Sequence, residues 1–117
     1  MLNLDPAEFV YTVVKLIPHG KVATYGQVAE MVQGVRLGPR QVGSIMQTSP
    51  ADVPWWRVVG AGGRVLTDRR SPHLGRTQRE LLDLEHVPVK ESGLIDMQNA
   101  QWYPDFTVRA DIEGDCR

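Results

Sequence analysis

Apolar residues in the first part of the chain recur at helical spacing and are fenced by turn-forming residues. Phe9, Val10, Val13, Val14, Leu16 and Ile17 form one stripe. Asp5-Pro6-Ala7-Glu8 precedes it with an N-cap, a proline at the first helical position and a carboxylate placed to complete a capping box. Pro18 and Gly20 close this helix. Thr24 is the next N-cap, with Gln27 at the reciprocal position, Val28, Ala29 and Met31 on one face, and Gly34 as the stop. Gly38-Pro39 opens a third helix that buries Val42, Ile45 and Met46 and ends near Thr48-Ser49-Pro50. These last two form a pair of short helices joined by a glycine-containing connection, a helix-turn-helix pattern.

The pattern changes at Val53-Pro54-Trp55-Trp56-Arg57-Val58-Val59, a bulky, β-branched run closed by Gly60-Ala61-Gly62-Gly63 and followed by Arg64-Val65-Leu66. It predicts a short β-hairpin, or a strand followed by a tight return. A last helix is expected from about Thr77 to His86, capped by Thr77 and Glu80, with Leu81, Leu82 and Leu84 as its contacts. Beyond it the chain is acidic and is anchored by Leu94, Ile95, Met97, Trp102 and Tyr103. The expected architecture is mainly α with a short β-hairpin, one compact domain over residues 1–104 and a frayed acidic tail over 105–117.

Composition narrows the class. A chain of 117 residues, 42% hydrophobic and 23% charged, closes one modest core and leaves no room for a second ordinary domain. One cysteine, Cys116, excludes an internal disulfide framework and a cysteine-rich zinc site. His19, His73 and His86 lack metal-ligand spacing, so neither metal nor cofactor is expected. The N-terminus shows no signal-peptide pattern, and no apolar run approaches the roughly 18 residues of a membrane span. The expectation is a reduced, cytoplasmic protein.

The net charge of −1 argues against nucleic acid until the chain is divided. Residues 19–79 carry nine basic groups, eight of them arginine, against Glu30, Asp52 and Asp68, a net of +6. Residues 80–117 carry three basic and nine acidic groups, a net of −6. Arginine suits phosphate and base contacts, and Arg40 and Gln41 open the second helix of the pair. A solvated basic face fits the same composition, and paired helices of this kind are common in proteins that never touch DNA.

Four blocks decide more than composition does. They are Ile17-Pro18-His19-Gly20-Lys21-Val22-Ala23-Thr24-Tyr25-Gly26-Gln27-Val28-Ala29, Arg40-Gln41-Val42-Gly43, Pro54-Trp55-Trp56-Arg57-Val58-Val59 and Leu81-Leu82-Asp83-Leu84-Glu85. In this order and spacing, over roughly residues 7–86, they resemble the C-terminal, DNA-binding domain of the O-6-alkylguanine-DNA alkyltransferases. Those enzymes carry Pro-Cys-His-Arg where this chain has Pro54-Trp55-Trp56-Arg57. Replacement of the nucleophile by tryptophan is similar to the alkyltransferase-like proteins, the non-enzymatic branch, as is the segment from Gly93 to Pro104. The resemblance implies a compact, winged-helix-like helix-turn-helix domain.

It also implies roles. Alkyl transfer from guanine O6 needs a thiolate activated by a neighbouring base. Trp55 and Trp56 supply neither, and Glu85, aligned with the carboxylate that orients the missing histidine, is left without its relay. Binding needs only that the nucleotide be rotated out of the stack into a pocket. By resemblance, Thr24 and Tyr25 lie near the phosphate of the flipped nucleotide, and Arg40, with Gln41 beside it, fills the vacated space from the minor groove. Trp55 forms a pocket wall with Pro54, Trp56 and Glu85, and Arg69 or Arg70 reaches the base edge. The implied partners are double-stranded DNA containing O6-alkylguanine and nucleotide excision repair proteins, for a nucleoid-associated monomer with no membrane role.

Plain structural readings stand beside these. Tyr25 and Arg40 fit a half-buried helix entry and a solvated first turn, one of the two tryptophans is expected to face inward as core, and Arg57 to pin the chain through backbone carbonyls. Two other functions remain open on the sequence. One is a suicide alkyltransferase using Cys116 or another displaced nucleophile. The other is a helix-turn-helix regulator of a fixed DNA sequence.

Overall fold

The computed structural model of the protein describes residues 5–109. Helix α1 (Pro6–Leu16) starts where its signals lie, with the Asp5 carboxylate accepting from the Ala7 amide at 3.0 Å. Its stripe buries Val10, Val13 and Val14, and the Tyr11 hydroxyl donates to the Ile45 carbonyl at 2.9 Å. Strand β1 (Ala23–Thr24) runs directly into helix α2 (Tyr25–Met31). Thr24 is the N-cap, its hydroxyl accepting from the Gln27 amide at 2.9 Å. The Gln27 side chain does not complete the box. It donates instead to the Trp102 carbonyl at 2.6 Å and accepts from Gln101, because the C-terminal part of the chain packs there.

Helix α2 passes into β2 (Val32–Gln33) before Gly34 turns the chain at φ +93°, and helix α3 (Pro39–Met46) follows. Helices α1, α2 and α3 enclose the larger apolar cluster, in which Ile17, Val28, Val42 and Val53 are fully buried. A smaller cluster gathers Val22, Val59, Leu82, Val87, Ile95 and Ala100.

The tryptophan run departs from expectation. Trp55–Arg57 is a 3-10 turn rather than strand, and strand β3 is only Val58–Val59. It pairs in parallel with β1 (Ala23 with Val58, Thr24 with Val59), not in a hairpin. The amide of Gln78 takes the carbonyls of Trp56 and Val58, at 3.0 and 2.9 Å, which a further strand would otherwise need. The chain then makes the tight return, through one antiparallel bridge from Gly60 to Arg64, with Gly62 and Gly63 at positive φ.

Helix α4 spans Pro72–Leu84, starting five residues ahead of the expected point. Ser71 is its cap, accepting from the His73 and Leu74 amides, while the Thr77 hydroxyl bonds back to the His73 carbonyl inside the helix. Of the three leucines only Leu82 is buried; Leu84 is 72% exposed. The helix packs through Gly75 and Gln78, which an apolar pattern does not reveal.

The boundary at residue 104 also moves. After helix α5 (Met97–Ala100), Trp102 bonds to the Val22 carbonyl at 2.8 Å and packs on the larger cluster. Strand β4 (Val108–Arg109) pairs in parallel with β2. Part of the segment expected to fray therefore adds to the fold, because β2 offers it an open edge. Residues 110–117, with Cys116, lie outside the described part.

Candidate nucleic-acid interface

The turn from β1 into α2 leaves no slack between Thr24 and Tyr25, so pairing with β3 fixes where the tyrosine stands. Helix α3 packs against α2 and brings Arg40 to the same side. The 3-10 turn and the return that follows supply Trp55 and residues 60–70. Together they enclose an open cavity of about 540 Å³.

Five of the nine predicted site residues line it: Thr24, Tyr25, Arg40, Trp55 and Arg69. Arg64, Arg70 and Leu66, together with Gly43 and Ser44 of α3, line it as well. Arg64 was missed, although its place just after the glycine turn was a usable signal. Among the described residues that line it there is no cysteine, histidine, aspartate or glutamate.

Burial pushes the Tyr25 phenol above its ordinary value of 10.0, partly opposed by the nearby Arg70 charge. The phenol therefore keeps its proton and remains a donor at neutral pH. Trp55 is half-buried in the cavity wall, and its ring meets Trp56 edge-on, with centroids 6.1 Å apart. In a 3-10 turn successive side chains diverge by about a third of a revolution, so the two indoles part company as strand alternation would also have required.

Four predicted residues lie elsewhere. Gln41 caps its own helix, its amide oxygen accepting from the Gly38 amide at 2.9 Å. Pro54 is buried beneath the turn. Trp56 points away from the cavity and donates its indole N–H to Glu85 Oε2 at 2.8 Å. Glu85, expected as a spare acid in the pocket, is fully engaged. It also accepts from the Gly20 amide at 3.0 Å and from the Arg57 guanidinium, at 2.7 Å in the shortest contact. Arg57 in turn donates to the Ile17 carbonyl at 2.8 Å, which matches the structural role expected of it. Burial alone would raise the Glu85 pKa, but its bonds to Arg57, Gly20 and Trp56 bring it below the usual glutamate range.

Among the described residues, no group of three or more His, Cys, Asp or Glu is arranged to hold a metal ion. No helix there is long and apolar enough to cross a membrane.

Fold and cavity together define a small helix-turn-helix DNA-binding domain of the alkylguanine-transferase type. The chain belongs to the family described as 6-O-methylguanine DNA methyltransferase, DNA binding domain, whose profile matches residues 5–87. It is 40% identical to the DNA base-flipping protein of Escherichia coli K12 over 95 residues, which are 80% of this chain and 70% of that one. It is 33% identical to Alkyltransferase-like protein 1 of Schizosaccharomyces pombe over 102 residues, covering 81% and 92% of the two chains. The crystal structure of S. pombe Atl1 in complex with damaged DNA containing O6-carboxymethylguanine superposes with a TM-score of 0.73 at 31% identity, over 89% of this chain and all of that one. The O6-methylguanine methyltransferase of Mycobacterium tuberculosis gives 0.61 at 29% identity, over 77% of this chain and 53% of the enzyme.

Proposed function

We propose that the protein binds duplex DNA containing an O6-alkylguanine from the minor groove, rotates the damaged nucleotide into the cavity and holds it there without removing the alkyl group. The observation that carries this reading is Trp55 in the wall of a cavity to which the described residues contribute no cysteine or histidine. Tryptophan offers no nucleophile for the alkyl carbon, but it offers a face on which a base stacks for about 1–3 kcal/mol. Trp56, at the position of the enzymes' histidine, can only donate a hydrogen bond, and that donor is spent on Glu85.

In this reading the protonated phenol of Tyr25 contacts the phosphate of the flipped nucleotide. Arg40 enters the stack, where a planar guanidinium replaces the extruded base. An alkylated guanine pairs poorly with cytosine, which lowers the cost of extrusion and favours damaged sites. The bound monomer, standing over an unrepaired lesion, then marks it for nucleotide excision repair.

The test is a titration of one duplex with and without a single O6-methylguanine, at one stated salt concentration. Wild-type protein is expected to prefer the damaged duplex, and Arg40→Ala and Tyr25→Ala to lose most of that preference. Equal affinity for both duplexes would favour a general or sequence-specific DNA binder instead. A protein mass increased by the alkyl group would identify an alkyltransferase.

A further inference from the structure

Arg40, Arg64, Arg69 and Arg70 all line the cavity, and among the described residues no carboxylate does. The ion pairs among the described residues join Lys15 to Asp52, Arg57 to Glu85 and Arg79 to Asp68, so none of the four cavity arginines is neutralised by one. This is more positive charge than a single flipped nucleotide demands. Arg70 acts electrostatically on Tyr25, on the side proposed for the phosphate. Arg40 is occupied by the stack. Arg64 and Arg69 remain, at either end of the segment that closes the cavity.

That segment has one acidic residue, Asp68, and the fold turns it away. Its carboxylate is held by Arg79 of α4 in a two-pronged contact of 2.6 and 3.0 Å. The Gly75 position beside it has no room for a Cβ. The neighbouring Thr67 hydroxyl is fixed to Gln78 at 2.6 Å. The only counter-charge that could have quenched Arg69 from within its own turn is thus engaged by Arg79 outside the cavity lining, and the guanidiniums stay available to a ligand.

We propose that the cavity selects adducts by charge as well as by shape, binding O6-alkylguanines whose substituent ends in an anion such as a carboxylate more tightly than neutral adducts of the same shape, through Arg64 and Arg69. The inference rests on the lesion-binding reading above. A carboxylate matches the guanidinium fork and forms charge-assisted hydrogen bonds, whereas the corresponding carboxamide has the same outline and no charge. Contacts to the DNA backbone are common to both adducts and cancel in the comparison.

Three duplexes identical except at one guanine test this: unmodified, O6-carboxymethyl and O6-carbamoylmethyl. Measured at about 0.1 M salt, the carboxylate is expected to bind about tenfold tighter than the carboxamide, and the carboxamide tighter than unmodified guanine. Arg64→Gln should reduce the ratio between the two adducts, and Arg64→Gln combined with Arg69→Gln should bring it close to one, with thermal unfolding checking that both variants fold. Equal affinity of wild-type protein for the two adducts, both above unmodified guanine, overturns the charge selectivity and leaves the lesion reading intact. Adducts binding no tighter than unmodified guanine would remove the lesion reading itself. A full ratio retained by the double variant would overturn the assignment to these arginines.

Discussion

At the scale of single residues, adjacent tryptophans do different work because their polar atoms meet different partners. Trp55 presents its ring to the cavity, while Trp56 spends its N–H on Glu85. Trp55→Ala should weaken the complex with damaged DNA by about 1–3 kcal/mol relative to undamaged DNA, read by fluorescence-anisotropy titration. Trp55→Cys should place a thiol in the cavity and still transfer no alkyl group rapidly, because the adjacent side chain cannot take a proton. Intact-protein mass spectrometry after incubation with an O6-methylguanine duplex checks this, and prompt stoichiometric labelling would refute it. The places of Tyr25, Arg40 and Trp55 were legible from local motifs. Those of Gln41, Trp56 and Glu85 were not, since a polar side chain reads as available until its partners are known. Glu85 finds one of them 65 positions away, at Gly20.

At the scale of elements, α4 is the scaffold of the cavity although it contributes no lining residue. The Gln78 side chain, 1% exposed, bonds the Trp56 and Val58 carbonyls and the Thr67 hydroxyl, tying the tryptophan turn to the arginine segment. Gln78→Leu leaves these groups unpaired and should cost about 1–3 kcal/mol for each group that stays dry, measured by urea unfolding. Helices α1, α2 and α3 were readable because caps and apolar spacing agreed on them. The start of α4 was not, because its buried face is built from a glycine and an amide. The 3-10 turn was not either, since β-branched and aromatic residues favour strand unless tertiary bonds claim the backbone.

At the scale of the whole molecule, Glu85 joins the turn after α1, the tryptophan turn and the end of α4 through one carboxylate. Arg57 and Glu85 are nearly buried, with side-chain exposures of 15% and 7%, so removing one partner strands a charge. Glu85→Ala should therefore destabilise the domain by about 3–5 kcal/mol in chemical denaturation. The folded-state pKa of Glu85 lies below its ordinary value of 4.5, so its stabilising contribution is complete above that value and is lost as pH falls through the folded pKa. Thermal unfolding of the wild type should thus be insensitive to this group near neutrality and weaken in acid. Glu85→Gln should start lower and show a flatter acid limb, and an unchanged acid limb would show that other carboxylates govern it.

The sequence by itself determined the family and the order of the helices, and it set two adjacent tryptophans, Trp55 and Trp56, between Pro54 and Arg57. It could do so because caps, apolar spacing and short motifs are local, and each is complete within a few residues. It also located the +6 block that the near-zero total conceals. Only the tertiary structure decided which of those residues face the cavity. The parallel pairing of β1 with β3, the docking of β4 on β2, the two roles of the tryptophans and the capture of Asp68 by Arg79 all join distant segments. Whether a charged or polar group there is free to meet a ligand depends on what the fold has already brought against it.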